Sequence, residues 1–385
     1  MSKIIDRYLG ALKYRTKTYI NFKRGWKTNR HLVVIESDDW GSIRMPSVDA
    51  LDRLTKNGVS LFPELGYDRY DTLASNEDLE FLLEVLGSVK DNNGNPARIT
   101  QNCVMVNPVF DKIKESGFRE YYYEPFTETL QRLPNHDRSF ALWKEGYNNG
   151  MLKPQFHGRE HLNVPLWLRS LQEGIPSVRC SFDEGVFSMT FESKGKNKHC
   201  LAAYNAESPN DYSFYKKSIS EGLRLFEDLF GFKSLSMIAP CYLWDDVIEE
   251  VASQNGVRFI QGNVAQVYST TQVLLNKKNN SFHCLGETNR FGQYYLIRNC
   301  LFEPAMNPRY NSENCLNSIR KAFCNNKPAI ISSHRQNYIG CLDNKNRDNN
   351  LKDLTKLLKG VIKEYPDVEF VFSDEMGSII ENNVR

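Results

Sequence analysis

The chain has nine cysteines, yet no two stand in C-x-x-C spacing and their number is odd. Zinc-ribbon and dithiol redox chemistry are thereby excluded, and scattered reduced thiols are expected, as in a cytoplasmic protein. Long apolar runs are also missing: no stretch approaches the roughly 20 residues of a membrane span, so none is expected. Residues 1–27 are basic and aromatic without an uninterrupted apolar core, so an export signal is not expected either. Charge of one sign is absent, with 49 Lys and Arg against 47 Asp and Glu, spread rather than blocked. That balance gives no electrostatic case for nucleic acid.

A hydrophobic content of 41% and a charged content of 25% describe an ordinary globular chain, and 385 residues suffice for one barrel-sized domain with insertions. Apolar runs alternate with amphipathic segments, which predicts an α/β fold with mainly parallel strands. The strand candidates are residues 31–36, 98–106, 154–157, 177–182, 234–239, 258–261, 329–333 and 369–372. Helical patterns lie between them, at residues 47–56, 76–89, 138–148, 165–173, 211–229, 245–255, 313–323 and 351–365. Eight strands with intervening helices suggest a (β/α) barrel over residues 31–385. Two regions break the rhythm. Residues 1–30 read as a helical extension packed on the outside or bottom of the barrel, and residues 263–308, with Gly292 to Arg298 at their centre, read as a β-hairpin insertion.

Histidine is scarce, at seven residues, and two of the seven, His157 and His161, stand four apart. Such a pair can close on one metal ion from a single turn, although chance alone produces it in roughly one such sequence in eight. A carboxylate partner is available upstream, where the run His31 to Ile35 leads into Asp38 and Asp39. Adjacent acids there also serve as helix N-caps. A third apolar run, Ala329 to Ser333, delivers His334 to its C-terminal end.

Together these segments resemble the polysaccharide deacetylase family, carbohydrate esterase family four, over about residues 31–380. Its pattern is an Asp-Asp pair after the first strand, H-x-x-x-H, an Arg-x-Pro-Tyr segment and a final strand carrying a histidine. The resemblance implies a distorted (β/α) barrel with fewer than eight full units. It implies one divalent metal ion, zinc first and cobalt or nickel next, on Asp39, His157 and His161. Asp38 would take a proton from water held at the metal, His334 would protonate the leaving group, and the substrate would be an acetylated sugar or glycan precursor, N-acetyl before O-acetyl.

The third segment departs from the pattern, reading Ile238, Ala239, Pro240, Cys241, with Tyr242 one place later. The arginine that would hold Asp38 is absent there, and Arg44, Arg159 and Arg335 are the candidate substitutes. A backbone amide of that segment would still hold an oxyanion. Cys241 and Tyr242 are expected to face substrate, with Trp40 and Trp244 as stacking platforms, whereas Trp167 fits a buried helix face. Asp183 and Glu184 form a second acid pair, which a permuted chain would use in place of Asp38 and Asp39. With Asp38 they would also serve a two-carboxylate glycoside hydrolase. A glycan-binding protein without turnover is the further alternative.

Overall fold

A computed structural model describes residues 14–61, 66–193, 195–276 and 279–384. Residues 1–13 of the expected N-terminal extension lie outside the described residues. Residues 14–24 are helical and pack against the outside through Tyr14 on Phe282 and through Lys327, whose ammonium donates to the carbonyls of Gly25 and Trp26.

Nine strands form the central sheet: β1 (Leu32–Trp40), β2 (Ile99–Cys103), β3 (Leu152–Phe156), β4 (Ser236–Ile238), β5 (Phe259–Gly262), β6 (Tyr294–Ile297), β7 (Cys300–Leu301), β8 (Ala329–His334) and β9 (Glu369–Phe370). Their order is β6-β5-β4-β3-β2-β1-β8-β7, with β9 beside the start of β1, and every ladder in it is parallel. All nine residues of β1 are buried, as expected of a strand covered on both faces.

No ladder joins the two edge strands among the described residues. They are nevertheless successive pieces of one chain, separated only by Arg298 and Asn299. Two residues span at most about 11 Å of backbone, so the sheet curls until its edges meet. Arg298 donates its amide to Gly262 on one side and Asn299 to Ile330 on the other, each at 2.9–3.0 Å. The two edges of the expected distorted, mainly parallel barrel are thus linked by the chain itself, with no ladder closing it among the described residues.

Two sequence expectations fail. Residues 177–182 belong to the helix Pro176–Asp183, because Val178 and Phe182, four apart, bury one helical face against Trp167. Residues 263–308 are not a single hairpin insertion. Ala265–Val267 and Asn280–Phe282 pair antiparallel around the helix Thr270–Asn276, and Thr288 bridges Tyr294 antiparallel across the Gly292 turn, whereas Tyr294 to Leu301 supplies β6 and β7 of the central sheet. A second hydrophobic cluster, around Leu54, Trp167, Phe182 and Phe187, is built by the excursions that follow β1, β2 and β3.

Candidate metal and catalytic site

Side chains on a regular strand alternate between faces, so Asp38 and Asp39 should point in opposite directions. A register shift against β2 after Ser37 breaks the alternation, and Asp39 takes φ +71°. Both carboxylates then face the C-terminal mouth, while Trp40 turns into the core. Gly41, at φ +87°, follows at once. A Cβ on it would lie 2.2 Å from the Val104 carbonyl, which leaves glycine as the residue that fits.

His157 follows β3 directly, its amide donating to the Cys103 carbonyl at 2.8 Å. Gly158, at φ +104°, turns the chain so that His161 folds back over His157, with ring centroids 5.0 Å apart. The His157 Nδ1 lies 2.9 Å from the Ile238 carbonyl, an acceptor that selects the tautomer with a bare Nε2. That Nε2 is 3.2 Å from Asp39 Oδ1, and His161 Nε2 is 3.4 Å from the same oxygen. One ligand atom from each of the three residues lies within 4.8 Å of the others, and all three residues are buried. Burial pushes His161 down to about 3, which keeps its lone pair free of a proton at neutral pH. For Asp39, burial acts to raise the carboxyl, but Arg44 and the two histidines outweigh it and hold it well below the usual carboxylate range. Two imidazole nitrogens and a carboxylate oxygen are donors suited to zinc, cobalt or nickel.

Asp38 is gripped from a different direction. The Arg298 guanidinium donates to both of its oxygens at 2.7 Å and to Glu36 at 2.6 Å. Asn102 adds a bond at 2.7 Å to Asp38 Oδ1. Burial acts to raise Asp38, and the guanidinium outweighs it, leaving a carboxylate below the ordinary range.

None of the three substitutes expected from sequence does this. Arg44 bonds Asp39 at 3.2 Å and reaches toward Asp71, Arg335 bonds Asp71, and Arg159 pairs with Glu160 and Glu221 over the Tyr123 ring. Arg298 is missed by sequence reasoning because the segment that carries it, just after β6, reads as hairpin. A signal is nonetheless present: a short apolar run ending in a charged side chain, the same pattern that exposes Asp38 and His334.

The ladder between β1 and β8 pairs Asp38 with His334, which brings His334 Nε2 to 3.7 Å from Asp38 Oδ2. His334 Nδ1 contacts the buried Glu303 carboxylate, itself held by Asn337 at 2.7 Å. Burial would lower His334, but Glu303, Asp38 and Asp39 together push it up to about 9. Glu303 lies in a loop without a motif, and nothing in the sequence marks it.

These groups open into a cavity of about 150 Å³, walled also by Tyr67, Leu201, Ala239, Cys241 and Tyr242. That is below the several hundred Å³ of pockets that swallow a whole drug-sized ligand. A group of acyl size and a few waters fit, whereas a whole sugar ring with its substituents does not.

Cys241 and Tyr242 thus line the cavity as expected, both at positive φ, and the Tyr242 hydroxyl accepts from Arg298 at 3.0 Å. Trp40 and Trp244 do not. Each is buried, with its indole N–H spent on Ser37 and Glu249 respectively, so neither offers a face to a sugar. Asp183 and Glu184 face away, in surface pairs with Lys114 and Arg53. The permuted and two-carboxylate assignments are therefore ruled out.

No family model and no curated protein matches the chain. Solved structures do. A protein from Mycobacterium smegmatis described as a polysaccharide deacetylase is similar at 9% identity and a TM-score of 0.45, over 93% of each chain. One from Pseudomonas aeruginosa PAO1 with the same description has 8% identity, a TM-score of 0.44 and 91% coverage of each chain. Puue allantoinase has 9% identity and a TM-score of 0.45, over 92% of this chain and 91% of its own. At such identities the role of each residue rests on this chain's own geometry.

Proposed function

We propose that the protein is a metal-dependent hydrolase that removes acetyl groups, N-acetyl before O-acetyl, from a carbohydrate. The observation that carries this reading is the meeting, in one small cavity, of three residues able to hold one metal ion with a carboxylate and a histidine on adjacent strands. Asp39, His157 and His161 would hold one divalent ion, with zinc the first choice and cobalt or nickel the next. Such an ion supplies Lewis-acid polarisation of the acyl carbonyl and makes a water acidic enough to attack at neutral pH.

The remaining work falls to the chain itself. Asp38, kept ionised and oriented by Arg298, accepts the proton of the attacking water. His334, kept protonated by Glu303, gives a proton to the departing nitrogen or oxygen. An acid that holds its proton up to about 9 suits an amine, which leaves poorly without one. Pro240 carries no N–H and the Tyr242 amide is bonded to the Ala239 carbonyl, so the Cys241 amide would be the one of this turn to take the developing oxyanion. The substrate is an acetylated sugar or glycan precursor, and the site of action is cytoplasmic. No helix among the described residues is long and apolar enough to cross a membrane.

The departures at Ile238 and Cys241 favour a second reading, in which the barrel binds glycan without turnover. Acetate release from a panel of acetylated sugars, assayed with purified protein of measured metal content, separates the two.

A further inference from the structure

Four fully buried polar side chains stand behind Asp38: Asn102 on β2, Gln155 on β3, Ser236 on β4 and Gln261 on β5. In the sheet β2 and β5 are separated by β3 and β4, so the direct bond between Asn102 and Gln261 crosses the interior of the curled sheet. A side-chain amide has an oxygen at one end and an N–H donor pair at the other, and it keeps one orientation only where a neighbour cannot reverse its own role.

The backbone N–H of Ser236 is such a neighbour, because it can only donate. It points at Gln155 Oε1 at 2.7 Å. The Ser236 hydroxyl gives its one proton to the same oxygen at 2.9 Å and is left as an acceptor. Gln261 therefore turns Nε2 to Ser236, at 2.9 Å, and Oε1 to Asn102. Asn102 and Gln261 close a reciprocal pair, 2.7 Å in one direction and 3.0 Å in the other. That bond uses one of the two Nδ2 protons of Asn102, and the second goes to Asp38 Oδ1 at 2.7 Å. A reversed Asn102 would set oxygen against oxygen at both Asp38 and Gln261.

We infer that Asn102 and, through it, Gln261 are positioning residues that fix which oxygen of Asp38 takes the proton. The inference rests on the deacetylase reading. Each oxygen of a carboxylate offers about two lone pairs. Oδ1 receives both Asn102 Nδ2 and Arg298 Nη2, so its pairs are filled. Oδ2 receives Arg298 Nη1 and lies 3.7 Å from Nε2 of His334, which lines the cavity. The open lone pair is thus on Oδ2. As the oxygen of the water attacks the acyl carbon, one of its O–H bonds breaks and the proton passes to Oδ2, while Asn102 keeps the carboxylate from turning Oδ1 outward. Neither Asn102 nor Gln261 is among the residues that wall the cavity, so each acts through Asp38.

Buried amides are bonded in any fold, so the test needs a readout that mere packing would not move. Asn102→Leu and Gln261→Met are assayed in metal-loaded protein for acetate release from N-acetylglucosamine and from 4-nitrophenyl acetate. Each should lower kcat by roughly tenfold to a hundredfold, the cost of misplacing a group by about an ångström, with KM and metal affinity unchanged. The double variant should lose no more than Asn102→Leu alone. In an Asp38→Asn background, Asn102→Leu should cause no further loss. Ser234→Ala, which removes a 3.2 Å bond to Gln155 that lies off this path, should leave kcat as it is. If Asn102→Leu fails to fold, Gln261→Met, which does not touch Asp38, carries the same comparison. An unchanged kcat, or an equal loss with and without the Asp38 carboxylate, would overturn the inference and leave the deacetylase reading in place. No release from any acetylated sugar by fully metal-loaded wild type would bring down that reading, and the positioning role with it.

Discussion

Asp38 and Asp39 are neighbours in the chain yet answer to different partners, and that separation gives the sharpest predictions at the scale of residues. Asp38 faces Arg298 and His334, whereas Asp39 faces Arg44 and the two imidazoles. Asp38→Asn should leave bound metal near its wild-type level and lower acetate release by about two to four orders of magnitude, the span of a positioned general base. Asp39→Asn should instead lower metal affinity, read by competition with a chelating dye. His334 offers a second check. In metal-free protein its imidazole should titrate near 9 by NMR, and Glu303→Gln should move that midpoint down. Because the folded pKa exceeds the free value of about 6.5, this histidine's contribution to stability is fully present below that pH and is lost as pH rises through about 9. A midpoint left unmoved in Glu303→Gln would remove Glu303 as the cause.

At the scale of elements, legibility depends on how strongly each strand announces itself. The runs at β1 and β8 are apolar and end in ionisable residues, so the residue pattern alone puts Asp38, Asp39 and His334 at a barrel mouth. β6 and β7 are only four and two residues long, set among Asn, Gly and aromatic residues, and their sequence reads as a hairpin. That reading hides both the closure of the sheet and Arg298. Trp40 departs from expectation for another reason: the register shift that turns Asp39 into the mouth leaves no room there for Trp40 as well, and strand alternation does not reveal a shift. Arg298 also carries the energetics of this seam. Its guanidinium is the shared partner of Glu36 and Asp38, all three buried, so Arg298→Met strands two carboxylates. The expected loss is about 3–5 kcal/mol in urea unfolding, far beyond a surface arginine. A loss under about 1 kcal/mol, the scale of an exposed pair, would mean that water or a relaxed backbone takes over the role.

Across the whole molecule, the groups of the proposed site come from segments spread around the sheet: β1, the turn after β3, the loop after β4, the seam at Arg298 and the end of β8. A constellation assembled this way exists only in the folded chain, so metal binding should couple to global stability. At a free metal concentration a hundredfold above the dissociation constant, the gain is about 2.7 kcal/mol, visible as a rise in Tm that His157→Ala with His161→Ala abolishes. The fold class and the segments that carry Asp38, Asp39, His157, His161 and His334 are readable from residues, because each is a local pattern at or just after a strand end, while the proposed roles of those residues come from the family resemblance. Arg298 and Glu303 are not readable in this way, because each acquires its role only through contacts between segments distant in sequence. The central claim, metal-dependent deacetylation, is tested most directly by acetate release from acetylated amino sugars as metal-stripped protein is titrated with zinc. The account predicts release that rises with occupancy and levels off near one ion per chain; release undiminished in the stripped protein, or none at full occupancy, would contradict it.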